Sequence, residues 1–266
     1  MPSAISIREK LNAARQAGFD FMELSVDETD EKLARLKWNE MEKRDLVKTA
    51  WETGTEIRTM CLSGHRKYPI GSEVKEIREK GMEIMSDAIR FASDTGLRII
   101  QIAGYDEYYR PSTDTTRALF LDNLSICIQR AAMKGVILAF ETMETEFMDT
   151  VGKAMVYVNI IHSPYLKVYP DLGNITNAAV IYGHRVSDDL KSGKGHLVAM
   201  HLKESLPGKY REVPFGKGHV DFAGAIKTAL DLGVKMFVAE FWYKGEENWQ
   251  HELESANRFI RSQFNS

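Results

Sequence analysis

Cysteine is scarce in this chain. There are two, Cys61 and Cys127, and no CxxC pair. Neither a disulfide framework nor a thiolate zinc site is suggested, and the usage fits a reducing compartment. Excess positive charge is lacking too. The 35 Lys and Arg are set against 38 Asp and Glu, a formal charge of −3, so no basic field is available for nucleic acid or anionic lipid. No apolar run reaches the roughly 20 residues of a membrane span. The start of the chain lacks the basic segment and apolar run of a signal peptide. These absences predict a cytoplasmic protein with no nucleic-acid or membrane partner. The glycine-rich phosphate turn of a dinucleotide fold is also missing after the first apolar run.

What is present is a repeated pattern. Apolar types make up 44% of the 266 residues, enough for one substantial core, and no linker or low-complexity segment divides them. A single domain over residues 1–266 is expected. A helical segment ends near a glycine and a short apolar run follows at once: Gly18 before residues 19–27, Gly54 before 55–63, Gly96 before 97–106, Gly135 before 136–143, Gly195 before 196–204 and Gly233 before 234–242. Another run, 166–174, follows Ser163-Pro164. Glycine just past a helix end tolerates the left-handed backbone that stops the helix. Runs rich in Ile, Val and Phe read as buried strands. Their starts recur every 30 to 42 residues, with room for one helix between each pair. The segments 78–91 and 119–133 carry their apolar residues at helical spacing. Alternating strands and helices imply a parallel α/β sheet, and this many units favours a (β/α)8 barrel, the TIM barrel. Seven runs are visible where such a barrel has eight strands, and the chain opens on a helix at 5–17. The first strand is therefore expected to be absent from this chain, leaving the strands beside the gap with exposed edges.

Barrel active sites form at the C-terminal ends of the strands. Four consecutive runs each bring one chemically useful side chain to that rim: Glu141 in AFET, Asp171 in YPDLGN, His201 in VAMHLKE and Glu240 in VAEFW. One Glu at a strand end is commonly a solvated or paired carboxylate. Three carboxylates crowded together repel one another unless a cation joins them. Two Glu, one Asp and one His form a hard O/N ligand set for Mn²⁺, Mg²⁺, Co²⁺ or Zn²⁺.

These motifs, with SVDETD, SGHRKYPIGS and VPFGKGHVDF, resemble the L-ribulose-5-phosphate (L-xylulose-5-phosphate) 3-epimerases, also called hexulose-6-phosphate isomerase-like, of the xylose-isomerase-like barrel superfamily. The resemblance runs over essentially the whole chain. It implies that Glu141, Asp171, His201 and Glu240 bind one divalent metal ion and that Glu141 and Glu240 are the acid/base pair. It also implies a small ketose phosphate as substrate, a homodimer, and a strand with its loop, about 15–20 residues, ahead of Met1-Pro2. Related epimerases of unphosphorylated ketoses carry a histidine and an arginine where this chain has Asn174 and Pro207, which points to a different substrate end.

A phosphate requires positive charge or oriented N–H groups. The candidates are Lys203, the turn with Gly216, Lys217, Gly218 and His219, the pair His65 and Arg66, and Asn174. The turn also reads simply as a lead-in to a helix capped by Asp221. His162, His184 and His251 read as structural or solvent-facing, and His196 begins a strand at the opposite rim. Trp242, Tyr105 and Tyr108 are possible walls for a sugar. Three other functions stay open: an aldose–ketose isomerase using the same metal site, a metal-dependent endonuclease for abasic DNA, and an inactive sugar-binding barrel. The second needs more rim histidines than the sequence offers.

Overall fold

The computed structural model describes residues 1–264. Each parallel strand is followed by helix. The order is α1 (Ile7–Gln16), β1 (Phe21–Val26), α2 (Asp30–Ala34), α3 (Glu40–Thr53), β2 (Glu56–Leu62), α4 (Lys75–Thr95), β3 (Ile99–Ala103), α5 (Asp114–Met133), β4 (Ile137–Glu141), α6 (Val151–Ile161), β5 (Leu166–Tyr169), α7 (Leu172–Tyr182), α8 (Val186–Ser192), β6 (Met200–Leu202), α9 (Phe222–Asp231), β7 (Phe237–Ala239) and α10 (Trp249–Gln263).

Local chemistry sets the boundaries. Ser6 and Glu9 form a reciprocal capping box at α1, and Asn39 and Glu42 form another at α3, satisfying amide donors that an unfinished helix end leaves free. Gly54 (φ 65°) and Gly96 (φ 83°) end α3 and α4 in the left-handed conformation, which a Cβ would disfavour. The apolar run at 166–174 divides: its strand stops at Tyr169, and Asp171 caps α7 by accepting from the Asn174 amide at 2.7 Å.

Strands β1 to β5 form one parallel sheet in sequence order, and β6 pairs with β7. The bridges Val168↔Leu197 and Asp171↔His201 stitch β5 to β6. Among the described residues, no ladder joins β7 to β1, so the seven-stranded ring is open there and both flanking strands are edges. Every residue of β3 is buried, as expected of a strand covered by helices outside and barrel filling inside. Ile99, Ala139, Tyr169 and Ala199 pack inside the barrel with Val198, Met236 and Val238. Two residues further along, Gln101, Glu141 and His201 take the same inward direction. The filling thus turns from apolar to ionisable towards the C-terminal rim. No helix among the described residues is long and apolar enough to cross a membrane.

Candidate metal centre

The end of β4, the cap of α7, β6 and the segment after β7 bring Glu141, Asp171, His201 and Glu240 together, with one ligand atom from each lying within 4.8 Å of the others. His201 Nδ1 is 3.0 Å from Glu141 Oε1, 3.4 Å from Glu240 Oε2 and 3.9 Å from Asp171 Oδ2. Glu240 is held at the open side of the ring by its backbone N–H, which donates to the Leu202 carbonyl at 2.9 Å. Its side chain is 29% exposed, whereas those of the other three are at most 7% exposed. The cluster thus opens towards Glu240.

Two observations fit a cation at this point. Asp171 Oδ2 and Glu240 Oε2 are buried without a hydrogen-bond partner; Asp171 Oδ2 lies 3.0 Å from Lys203 Nζ but is not aligned for a hydrogen bond. The donor set is also strongly anionic. Four buried or half-buried carboxylates (Glu23, Glu141, Asp171, Glu240) are set against one ammonium and one imidazole. Burial raises the pKa of Glu141 and pushes that of Asp171 well above the usual carboxylate range. Burial acts in the same direction on Glu240, but Lys203 and His201 outweigh it and hold that pKa low. Burial opposes charge on Lys203 and on His201 too; Asp171 and its neighbours prevail at Lys203, and Glu23 with Tyr169 and Glu141 at His201, so both pKa values are raised. The carboxylates thus outnumber the basic groups beside them, as expected where a divalent ion belongs.

The residues expected to meet a phosphate are distributed differently. Lys203 and Asn174 join the cluster: Lys203 Nζ donates to Asn174 Oδ1 at 2.8 Å and sits 3.8 Å from Glu240 Oε2, while Asn174 Nδ2 donates to the Thr142 carbonyl at 2.7 Å. His65 is buried and shares Nε2 with the Gly81 carbonyl at 3.1 Å; burial lowers its pKa to about 4, so its ring is neutral at pH 7. Arg66 lies over the Tyr108 ring at 5.1 Å, with a buried Nε that has no hydrogen-bond partner. In the turn at 214–220 the backbone is already engaged: the Gly216 and Val220 amides donate to the Glu204 carboxylate at 2.9 and 3.2 Å. A Cβ on Gly218 would stand 2.1 Å from the Ser205 carbonyl. His219 Nε2 is 3.1 Å from Ser205 Oγ, and Lys217 is exposed. Asp221 does cap α9, accepting from the Gly224 amide. Tyr105 is buried against Tyr108, whose hydroxyl reaches Glu144 at 3.2 Å. Trp242 lines a cavity of about 140 Å³ with Pro214, Phe215, Phe241 and Phe259.

Sequence reasoning passed over Glu23. It sits on β1, accepts from the Thr59 and Tyr169 hydroxyls, and lies 2.8 Å from His201 Nε2. It also passed over Gln101, whose side-chain amide donates to Glu141. A carboxylate inside the apolar run FMELSV was the available signal.

Fold and site together define a parallel (β/α) barrel whose C-terminal rim carries a carboxylate–imidazole cluster able to bind a metal ion. The chain belongs to the xylose isomerase-like TIM barrel family, which it matches over residues 11–263. It is 39% identical to the L-ribulose-5-phosphate 3-epimerase UlaE of Salmonella heidelberg (strain SL476), over 100% of this chain and 93% of that protein. It is 40% identical to the protein of the same name from Salmonella typhimurium, with the same coverage. Among solved structures, a D-psicose 3-epimerase superposes with a TM-score of 0.81 at 14% identity, covering 99% of this chain and 95% of that one. An L-ribulose 3-epimerase superposes with a TM-score of 0.75 at 19% identity, covering 99% and 89%. These structures share the fold.

Proposed function

We propose that this chain is a metal-dependent 3-epimerase that interconverts L-xylulose 5-phosphate and L-ribulose 5-phosphate in carbohydrate catabolism. The observation that carries the reading is the cluster of Glu141, Asp171, His201 and Glu240 at the C-terminal rim, supported by the full-length likeness to proteins named for that reaction. We read the chain as one domain acting in the cytoplasm as a homodimer.

Epimerisation at C3 of a ketose removes the proton next to the C2 carbonyl and returns one on the opposite face. Glu141 ends β4 and Glu240 follows β7, three strands apart on the ring. One carboxylate takes the proton and the other delivers its replacement. Glu141, Asp171, His201 and Glu240 would hold a single Mn²⁺, Zn²⁺, Co²⁺ or Mg²⁺ ion, whose chemistry there would be Lewis-acid stabilisation of developing negative charge. Lys203, anchored by Asn174 and Asp171, adds a fixed positive charge beside Glu240. Arg66 is our assignment for the phosphate, because its permanent charge keeps a free Nε. Lys217 and His219 are second candidates on the loop after β6, while the His65 ring, buried and engaged with the Gly81 carbonyl, is not assigned to the anion.

The test is deuterium exchange. In D₂O with Mn²⁺ and L-xylulose 5-phosphate, the protein should incorporate deuterium at C3 and form L-ribulose 5-phosphate, and Glu240→Gln should abolish product. An aldose product would convert the reading to an aldose–ketose isomerase. Absence of both reactions with several ketose phosphates would refute it.

A further inference from the structure

We infer that Glu23 is a positioning residue for the metal centre, setting the orientation and tautomer of His201. The inference rests on the metal-dependent reading above and extends it to a residue outside the ligand set.

The two nitrogens of His201 face different partners. Nδ1 points at the Glu141, Glu240 and Asp171 oxygens, 3.0 to 3.9 Å away. Nε2 points the other way, to Glu23 Oε1 at 2.8 Å. A histidine binds a metal through a nitrogen lone pair, so the other nitrogen carries the proton. Here Nδ1 is the ring nitrogen that faces the proposed ligand carboxylates, and Nε2–H therefore donates to Glu23. The carboxylate makes Nδ1 a better donor and fixes the plane of the ring.

Glu23 is itself held. Its Oε2 accepts from Thr59 Oγ1 at 2.6 Å and from the Tyr169 hydroxyl at 3.0 Å, and its side chain is 8% exposed. The Tyr169 ring also packs edge-on against His201, with centroids 4.8 Å apart. Three strands, β1, β2 and β5, thus converge on one carboxylate whose sole imidazole partner is on β6. A buried Glu with every oxygen committed to this arrangement is costly for stability alone, which fits a role at the cation.

The experiment is calorimetric titration of the metal-stripped protein with Mn²⁺, together with thermal unfolding of each metal-free variant. Glu23→Ala is expected to weaken Mn²⁺ binding by about 10- to 100-fold, the range for lost partners of metal-bound histidines. Glu23→Gln keeps an oxygen for Nε2–H and should recover most of that loss. Thr59→Val and Tyr169→Phe should fall between wild type and Glu23→Ala. Glu23→Ala binding within about twofold of wild type, at normal stoichiometry, would overturn the inference even if its unfolding temperature fell. A wild-type protein that binds no divalent ion would instead overturn the metal-dependent reading, and this inference with it.

Discussion

Acidification should destabilise this protein through His65, and the amount follows from the structure. The ring is buried and its pKa is lowered to about 4 from an ordinary 6.5, with burial as the main cause and the Gly81 carbonyl acting the other way. A histidine with a depressed folded pKa is neutral in the native state and takes up its proton more readily when unfolded. Its contribution to stability is therefore intact above pH 6.5 and is lost as pH falls from there towards 4, where the folded form begins to bind the proton as well. At about pH 4.5 the loss amounts to about 2 to 3 kcal/mol, most of what the shift can supply. Other groups titrate over this range, so the assay is a difference: urea unfolding of wild type and His65→Gln at about pH 7.5 and pH 4.5. Glutamine can place an N–H near the Nε2 position and keep the bond to Gly81. Wild type should lose about 2 kcal/mol more than the variant between the two pH values. Equal losses would mean that His65 is not held neutral. It would then return as a cation available to a phosphate, and the assignment to Arg66 would weaken.

Replacing Glu204 by Ala removes the acceptor for the amides of Ser205, Gly216 and Val220 and should cost about 3 kcal/mol in denaturant unfolding; a loss under about 0.5 kcal/mol would show that the 214–220 turn holds itself. Arg66→Met should raise KM for the phosphorylated ketose by about 10-fold or more while changing kcat little, the signature of lost uniform binding. An unchanged KM would move the phosphate elsewhere.

Most of the architecture was legible because barrel units repeat. Stop signals such as Gly54 and Gly96 are local, and so is the apolar run that follows each. The four rim residues that the structure brings together were legible for the same reason: each lies in the second half of its run, so counting strands places them on adjacent elements. Partnership across the barrel was not legible. Glu23 and His201 are 178 positions apart, and no local pattern links β1 to β6. The isolated carboxylate in FMELSV has the same form as the isolated imidazole in VAMHLKE, but only the latter sits among rim ligands in sequence order. Lys203 illustrates a second limit. An ammonium near a sugar-phosphate site suggests the substrate's anion; in the fold, Lys203 Nζ lies 3.0 Å from the Asp171 carboxyl.

The open side of the ring explains why these interior contacts matter. Among the described residues, β7, which leads into Glu240, pairs only with β6, and β1, which carries Glu23, pairs only with β2. Backbone hydrogen bonds therefore do not fix the distance between the two strands that flank the gap. Two other sets of contacts span it. Outside, Arg261 of α10 donates to the Gly18 carbonyl and to Asp20 at 2.9 and 2.8 Å, tying the last helix to the turn before β1. Inside, Glu23 reaches across to His201 and Tyr169, and Glu240 lies 3.4 Å from the same imidazole. His201 is thus the shared partner of both edges. A cation bound at Nδ1 would join Glu240 to the ring that Glu23 already holds. Metal binding should accordingly stiffen the β7–β1 side more than the continuous sheet from β2 to β5, and amide hydrogen exchange at residues 237–240 with and without Mn²⁺ reads that difference. Protection rising equally across all strands would show that the ladder-free side does not depend on the site.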